Sequence, residues 1–267
     1  MFISFLSDYG SEDEFVGVCH GVIARRCPDA RVIDLDHAVP RHDVLAGALT
    51  LAAAVRFLPP GVVLAVVDPG VGGERRALAL RSEQDGRMFV GPDNGLLMTA
   101  VDRLGVVIEA VEISDSRERL TPTSNTFHGR DVFAPVAGAL AAGEPLSGLG
   151  EEIDADGLVR LRLPRAELLA RGLLAHVIHR DTFGNLVLDA TPEQLAGLGA
   201  GAGTGVRVEC GGRRHEAFPA ASFAELPEGG LLLYEDSWGL LALAVNRGSA
   251  AELLPAEPGR ELRLEPL

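Results

Sequence analysis

Residues 61–76 read GVVLAVVDPGVGGERR, an apolar run from Val62 to Val67 that ends in Asp68 and a glycine-rich turn. An uninterrupted run of this length, bounded by turn residues, predicts a strand buried on both faces, as in the parallel sheet of an α/β protein. Asp68 stands at the carboxyl end of that strand, the edge at which open α/β sheets bind ligands. The stretch therefore predicts a parallel sheet with a ligand site around Asp68.

The rest of the first 165 residues alternates short apolar runs with helical periodicity. This alternation predicts βαβ units, and hence an α/β, Rossmann-like domain with a mostly parallel sheet over residues 1–165. Before residue 61 the expected elements are a strand at Phe2–Leu6, a helix after a Ser11/Glu14 capping box, a strand at Val32–Leu35 and a helix at Asp43–Phe57.

From Gly172 onward the pattern changes to short β-type segments separated by turn signals. They are LLAHVIHR (173–180), NLVLDA (185–190), VRVEC (206–210), LLLYED (231–236) and LLALAVN (240–246). Only Pro192–Leu198 keeps helical periodicity, so the sequence predicts a small all-β domain of barrel or sandwich type over residues 171–267. The linker is expected at Pro164–Arg171.

Charge and composition limit the function classes. The 267 residues include 38 acidic and 24 basic ones, for a formal net charge of −14. A nucleic-acid or anionic-membrane partner is therefore not expected, whereas a small cationic or zwitterionic ligand fits. Every basic residue is arginine, which excludes lysine Schiff bases, pyridoxal chemistry and the P-loop lysine.

The cysteines and the N-terminus favour the cytoplasm. Cys19, Cys27 and Cys210 are odd in number and show no CxxC spacing, which predicts buried free thiols in a reducing compartment. The start MFISFLSDYG has no basic segment of a signal peptide, and no apolar stretch approaches the ~20 residues of a membrane span.

Two apparent motifs are interpreted as non-functional. GLGAGAGTG at 197–205 resembles a dinucleotide fingerprint, but no strand precedes it and no helix follows, so a loop is expected. His37 and His42 lie among aspartates, but their spacing matches no zinc motif and Pro40 interrupts any helix that would align them. Neither a metal nor a cofactor is expected.

Six motifs, spread over nearly the whole chain, carry a family resemblance. They are FLSDYG (5–10), VDPGVG (67–72) with Arg75, PDNGLL (92–97), TFHGRD (126–131), DTFGN (181–185) and DSWG (236–239). With these motifs the chain resembles the S-adenosyl-L-methionine hydroxide adenosyltransferases, relatives of the fluorinating and chlorinating enzymes that attack the same substrate. The resemblance implies hydrolysis of S-adenosyl-L-methionine to adenosine and L-methionine, without a cofactor. It also implies a homotrimer with sites between subunits.

The resemblance assigns the catalytic roles to Asp68, Arg75 and His128. Water would attack the ribose C5′ as methionine leaves, with His128 able to accept its proton or the three residues only ordering it. Asp8, after the first strand, has a carboxylate that suits a ribose diol, the role that the family implies. Asp13, Asn94 and Gly129 are also expected to bind substrate.

The resemblance places the remaining substrate contacts in the second domain. Asp181 would pair with the methionine ammonium, Phe183 would pack on adenine, and Asn185 would bind its polar edge. Ser237 would contact the methionine carboxylate. The stretch Val245, Asn246 and Arg247 would meet adenine through its backbone, and Trp238 replaces an arginine of the halogenating relatives.

Departures from those relatives favour hydrolysis over halogenation. They carry a tyrosine where this chain has Asp68, and a halide-binding serine where it has Gly129. A carboxylate beside the nucleophile would repel a halide. Two alternatives remain open at this point. One is a metal-dependent hydrolase using Asp8, Asp36, His37 and Asp68, and the other is a non-catalytic module that binds adenosine or S-adenosylmethionine.

Overall fold

The structure is a computed structural model that describes residues 1–197, 199 and 204–267. Its contacts divide the chain into two compact units, Met1–Leu161 and Arg162–Leu267. Most of the loop predicted at 197–205 lies outside the described residues.

The first unit is an α/β layered structure, as predicted. Its strands are Phe2–Ser7 (β1), Arg31–Asp36 (β2), Gly61–Val66 (β3), Ala77–Ser82 (β4), Met88–Pro92 (β5), Val107–Glu112 (β6) and Glu151–Glu152 (β7). Its helices are Phe15–Arg26 (α1), Val44–Ala54 (α2), Met98–Val101 (α3) and Ala134–Ala141 (α4).

These strands form one sheet in the order β2-β1-β3-β5-β4-β6-β7. The pairings β1 with β2, β1 with β3 and β3 with β5 are parallel, and only β4 and β7 run against the others. Successive residues of β3 enter two cores on opposite faces: Val62, Leu64 and Val66 join one, and Val63 and Ala65 the other. Burial on both faces explains the uninterrupted apolar run in the sequence.

The helix starts differ in how they are capped. Asp43 is the N-cap of α2, and its Oδ1 accepts a hydrogen bond of 2.9 Å from the Ala46 N–H. The expected capping box of α1 does not form, because Glu14 is the N-cap and its side chain makes no capping hydrogen bond. The helix nevertheless starts at Phe15, since Cys19 and Ile23 anchor it in the core.

The second unit is a β-barrel, one of the two all-β types that the sequence predicted. Its strands are Glu167–Leu169 (β8), Gly172–Arg180 (β9), Leu186–Leu188 (β10), Val206–Cys210 (β11), Arg213–Pro219 (β12), Leu231–Glu235 (β13), Leu241–Val245 (β14) and Glu261–Pro266 (β15). Its helices are Pro192–Gly197 (α5) and Ala250–Leu253 (α6).

Seven of these strands close a ring in the order β9-β10-β14-β13-β12-β11-β15, and β15 pairs with β9 to complete it. The short strand β8 pairs with β9 and lies within the segment expected to be the linker. Leucine, valine and alanine side chains fill the interior together with Cys210. All three cysteines are buried and unpaired, as predicted.

Among the described residues, no helix has both the length and the apolar character needed to cross a membrane.

Candidate active site

The carboxyl ends of two neighbouring strands bring Asp8 and Asp68 to one edge of the sheet. β1 and β3 are parallel, with Ser7 in register with Val66, so the chain leaves both strands at the same level. The Asp8 N–H lies 3.4 Å from the Val66 carbonyl. This is the sheet edge at which the sequence predicted a ligand site.

Asp68 and Arg75 form a nearly buried ion pair. The Arg75 Nε lies 3.0 Å from both carboxylate oxygens, and its Nη2 lies 2.5 Å from Oδ2. The side chains are only 5% and 11% exposed, and the guanidinium also lies over the Phe133 ring at 5.2 Å. A buried charge pair needs such complete bonding to offset its desolvation, so the pair is fixed in position.

His128 joins this pair through Arg75. The Arg75 Nη2 lies 2.8 Å from the His128 Nδ1. A guanidinium has only N–H donors, so Nδ1 must accept, and the neutral ring carries its hydrogen on Nε2. Asp68, Arg75 and His128, distant in sequence, therefore form one hydrogen-bonded network, which we call the Asp–Arg–His network.

Two loops meet to build the network. Gly72, with φ of +76°, packs directly on the Asn125 carbonyl, where a β-carbon would not fit. The second loop is held by Asp131, whose carboxylate bonds the Arg130 guanidinium at 2.6 and 2.8 Å and the Ser124 N–H at 2.8 Å.

The surroundings keep His128 neutral. Burial lowers the pKa of His128 below its ordinary value of 6.5, and the positive charge of Arg75 lowers it further. A second proton on the ring would have to sit on Nδ1, against the Arg75 guanidinium. The ring is therefore uncharged at neutral pH and offers its Nε2–H as a donor.

A cavity of about 660 Å³ opens beside the network. Its lining includes five of the predicted site residues, namely Asp8, Asp13, Asp68, His128 and Gly129. The Asp8 Oδ2 accepts a hydrogen bond of 2.9 Å from the His42 N–H, which leaves Oδ1 free of any bond within the described part of the chain. Tyr9, Phe127 and Arg130 also line the cavity and were not singled out from the sequence.

Asn94 is not among the residues that line this cavity. Its Nδ2 donates to the Val67 carbonyl at 2.8 Å, and its Oδ1 accepts from the Leu96 N–H at 3.1 Å. Both ends of the amide thus hold the turn after β5 against the residue that precedes Asp68.

The four residues of the metal alternative do not gather at one point. Asp8 and Asp68 line the first cavity, whereas Asp36 and His37 line only an adjacent one that shares part of its lining. Both His37 ring nitrogens are already bonded, Nδ1 to the Ser7 hydroxyl at 2.7 Å and Nε2 to Asp34 at 2.9 Å. Within residues 1–197, 199 and 204–267, no group of three or more His, Cys, Asp or Glu side chains is arranged to hold a metal ion.

The second unit has its own cavity, of about 870 Å³. It brings together seven of the eight residues predicted in this half: Asp181, Phe183, Asn185, Ser237, Trp238, Val245 and Arg247. The eighth, Asn246, donates its Nδ2 to the Leu226 carbonyl at 2.7 Å and so holds the loop after β12.

A tight turn organises one wall of this cavity. The Asp181 Oδ1 accepts the N–H groups of Phe183 and Asn185 at 2.9 and 2.8 Å, and its Oδ2 accepts the Asn185 Nδ2 at 2.7 Å. The turn leaves the Phe183 ring 78% exposed, so it forms an open apolar platform. It also leaves the Asn185 Oδ1 without a bonded partner in the part of the chain that is described.

The same cavity is lined by His179 and Tyr234, which sequence reasoning missed. The His179 ring lies 5.1 Å from the ring of Trp238, which the sequence did predict. Tyr234 lies close to two carboxylates: burial raises its pKa to about 12, and Asp181 and Asp236 add to the shift. Whether His179 and Tyr234 line the cavity depends on how the barrel closes, and no local sequence signal indicates this.

Comparisons with known proteins agree with this architecture. The family model described as SAM hydroxide adenosyltransferase N-terminal domain matches residues 3–150, and the one for the C-terminal domain matches residues 175–263. An (R)-S-adenosyl-L-methionine hydrolase of Salinispora arenicola is 48% identical over 98% of this chain and 97% of its own length. A fluorinase of an Actinoplanes species is 30% identical, over 93% and 92%.

A solved structure supports the fold. The crystal structure of an uncharacterized conserved protein from Thermotoga maritima superimposes with a TM-score of 0.89 at 34% identity, over 98% of this chain and 99% of the other. The two matched domain models together cover most of the sequence, and the chain belongs to the S-adenosyl-L-methionine hydroxide adenosyltransferase family.

Proposed function

We propose that this chain hydrolyses S-adenosyl-L-methionine to adenosine and L-methionine, with water attacking the ribose C5′. The observation that carries the proposal is the Asp–Arg–His network beside a cavity that also contains Asp8. The hydrolase name of the 48% identical relative supports the same reaction. Asp68 and Gly129 stand where halogenating relatives have halide-binding groups, which favours water over a halide as the nucleophile.

The chemistry requires help for the nucleophile and not for the leaving group. The O–C5′ bond forms while the C5′–S bond breaks, and its electron pair converts the sulfonium to a neutral thioether. The scarce species is hydroxide, because bulk water has a pKa near 15.7. The enzyme therefore has to orient a water in line with the C5′–S bond and take its proton.

The positions of the hydrogens in the network support one division of these tasks. With Nδ1 bonded to Arg75, the neutral His128 presents Nε2–H, which donates to the oxygen of the attacking water. Asp68 is then the acceptor for the water proton, through the lone pair of Oδ1 that Arg75 leaves open. Arg75 keeps both groups in place and stabilises the charge that develops.

The cavity of the second unit is proposed to hold the adenine and the methionine. Phe183 supplies an apolar platform for adenine, and Asn185 presents its Oδ1 to the adenine amino group. The carboxylate of Asp181 attracts the methionine ammonium, and Ser237 contacts the methionine carboxylate. The support is that these side chains line one cavity.

Product analysis tests the reaction. Purified protein incubated with S-adenosyl-L-methionine in ¹⁸O-labelled water is expected to release methionine and adenosine whose 5′-hydroxyl carries the label. Unlabelled adenosine, or 5′-deoxy-5′-chloroadenosine formed readily in chloride buffer, would contradict the proposal. Loss of turnover on exhaustive chelation would favour the metal-dependent alternative, and binding without turnover would favour the binding module.

Variants of the network test its assignment. Asp68→Ala, Arg75→Ala and His128→Ala are each expected to lower kcat by ~10² or more, and double variants should lose little beyond the single ones, because the three act as a unit. Variants that only weaken binding and leave kcat unchanged would contradict the assignment.

We also propose which epimer of the substrate the enzyme prefers, its oligomeric state and its location. The sulfonium is a stereocentre, and the relatives are named for its (R) form. We expect faster turnover of the (R) epimer, which assays of the two separated epimers would measure. A homotrimer and a cytoplasmic location complete the proposal, supported by the family resemblance and by the free cysteines.

A further inference from the structure

Tyr9 lies next to the Asp–Arg–His network but takes no part in the function proposed so far. It follows Asp8 at the end of β1 and lines the first cavity with Asp68 and His128. Its ring makes an edge contact with Phe127, at 5.7 Å between centroids, and a tilted contact with Phe15, at 5.9 Å. This aromatic cluster fixes the direction of the ring, and hence of its hydroxyl.

The Tyr9 hydroxyl occupies the place of a side chain on Gly129. A β-carbon on residue 129 would collide with this hydroxyl and lie 2.9 Å from the ring carbon that carries it. Gly129 starts a helical turn, Gly129–Phe133, and is not among the glycines with positive φ. The glycine is therefore required for space rather than for its backbone conformation.

The hydroxyl is polar, but its bonding capacity is unused. Among the residues that the structure describes, none forms a hydrogen bond with it. Burial raises the pKa of Tyr9 well above its ordinary value of 10.0, and Cys19 and the carboxylates of Asp8 and Asp68 raise it further. The group is therefore a neutral O–H donor at every physiological pH.

We propose that the Tyr9 hydroxyl, which fills the space left by the absent side chain of Gly129, is a further catalytic group that donates a hydrogen bond to the nucleophilic oxygen. The inference rests on the proposed hydrolysis. The proposed hydrogen bond is consistent with the number of lone pairs on the nucleophilic oxygen. A water that attacks C5′ has one lone pair left, which accepts the His128 Nε2–H. Once its proton passes to Asp68, the oxygen gains a third lone pair, which accepts from Tyr9.

This bond forms only as hydroxide develops, so it stabilises the transition state and not the bound substrate. Tyr9→Phe keeps the ring and removes the donor. It is expected to lower kcat by roughly 10- to 100-fold and to leave KM unchanged. The loss should be constant between pH 6 and about 9, since a phenol with a raised pKa does not titrate there.

The steric fit between Tyr9 and Gly129 can be tested by stability measurements, which do not depend on activity. Gly129→Ala should lower Tm by about 3 to 10 °C because it overpacks against Tyr9. In a Tyr9→Leu background, which removes the hydroxyl and the far end of the ring, the same change should cost markedly less. Tyr9→Phe alone should leave Tm unchanged, because the hydroxyl has no bond to lose.

The outcomes separate the two proposals. An active wild type whose Tyr9→Phe variant keeps its kcat overturns the inference and leaves the hydrolysis standing. A kcat loss that grows with pH would mean a titrating tyrosinate and also overturns it. Additive Tm changes for the two sites overturn the steric pairing. A wild type that forms no adenosine overturns the hydrolysis and the catalytic role of Tyr9 together, whatever the Tm cycle gives.

Discussion

Arg75 determines what His128 can do, because a guanidinium offers hydrogens and never a lone pair. Its contact with Nδ1 at 2.8 Å fixes the neutral tautomer and turns a residue type usually regarded as a base into a donor. The sequence left two roles open for this histidine, proton acceptor or orienting group. The contact favours the second, which is why we propose Asp68 as the proton acceptor.

The pH dependence of turnover should reflect this arrangement. Burial and then the charge of Arg75 lower the pKa of His128 below 6.5, so the ring is neutral at pH 7 and becomes charged only at lower pH. Protonation would put a hydrogen on Nδ1 and break the bond from Arg75. We expect kcat/KM to stay level as the pH falls to 6.5 and to decline below that value, in a pH profile recorded at constant ionic strength.

An NMR titration of His128 provides the matching control. Arg75→Gln removes the positive charge and leaves Asp68 and Asp131, which both raise the pKa of this histidine. The pKa of His128 should therefore be higher in the variant than in the wild type. An unchanged or lower value would contradict the contribution of Arg75.

Asp8 allows a test of ribose recognition. Its Oδ2 is bonded to the His42 N–H, so an asparagine would keep that bond with its carbonyl and turn an NH₂ group toward the ligand. Asp8→Asn should weaken adenosine binding by about 1 to 3 kcal/mol, because an NH₂ group cannot accept from the ribose hydroxyls. Calorimetric titration measures the loss. The penalty should nearly vanish for 2′,3′-dideoxyadenosine, and an equal penalty for both ligands would end the ribose assignment.

At the level of elements, the sequence predicted strands that carry an apolar run and missed one that lacks it. β1, β2 and β3 were predicted almost to the residue, since apolar runs bounded by turns identify them, although no residue of β2 is fully buried. β12, Arg213–Pro219, was missed because only Ala217 of its seven residues is buried. Propensity could not replace the absent apolar pattern there, since the strand exists through pairing with its neighbours.

The site was predictable where motif residues follow strands, and not where packing joins distant segments. Asp8 and Asp68 could be placed at one edge from the strand pattern alone. The contact between Tyr9 and Gly129 depends on the conformation of the loop at 124–131. Neither residue carries a charge or a metal ligand that would have suggested the contact.

Helix capping yields a stability prediction at this scale. Asp43→Ala should lower the free energy of unfolding by about 1 kcal/mol, because the Ala46 N–H at the start of α2 loses its acceptor. Glu14→Ala is the matched control: Glu14 is also an N-cap, but its side chain bonds no helix N–H. Urea denaturation followed by circular dichroism compares the two, and equal losses would contradict the role of Asp43.

At the scale of the whole molecule, the two cavities carry different parts of the predicted substrate site. The first cavity has the Asp–Arg–His network and Asp8, and the second has Asp181, Phe183 and Asn185. The family resemblance implies that each complete site draws on two subunits of a trimer. That proposal can be tested by mixing two inactive variants.

Co-expressed Asp68→Asn and Asp181→Asn chains should regain activity if sites are shared between neighbours. Random mixing in a closed trimer pairs an intact first unit with an intact second unit at about one quarter of the sites. Turnover should therefore recover to roughly that fraction of the wild-type rate, and sedimentation should give three chains per particle. Each variant assembled alone is the control, and no recovery in the mixture would contradict the shared site.

The number of strands in the barrel explains where one part of its cavity comes from. Around a closed ring, strand direction must return to its starting sense, so the antiparallel pairings must be even in number. A ring of seven strands therefore needs a parallel pair, and it is β12 with β13. Parallel neighbours cannot be joined by a tight turn, so residues 220–230 have to pass along the barrel. This passage carries Phe223 into the lining and the Leu226 carbonyl to Asn246. An odd ring thus supplies the predicted binding site with a wall that an even, fully alternating one would lack.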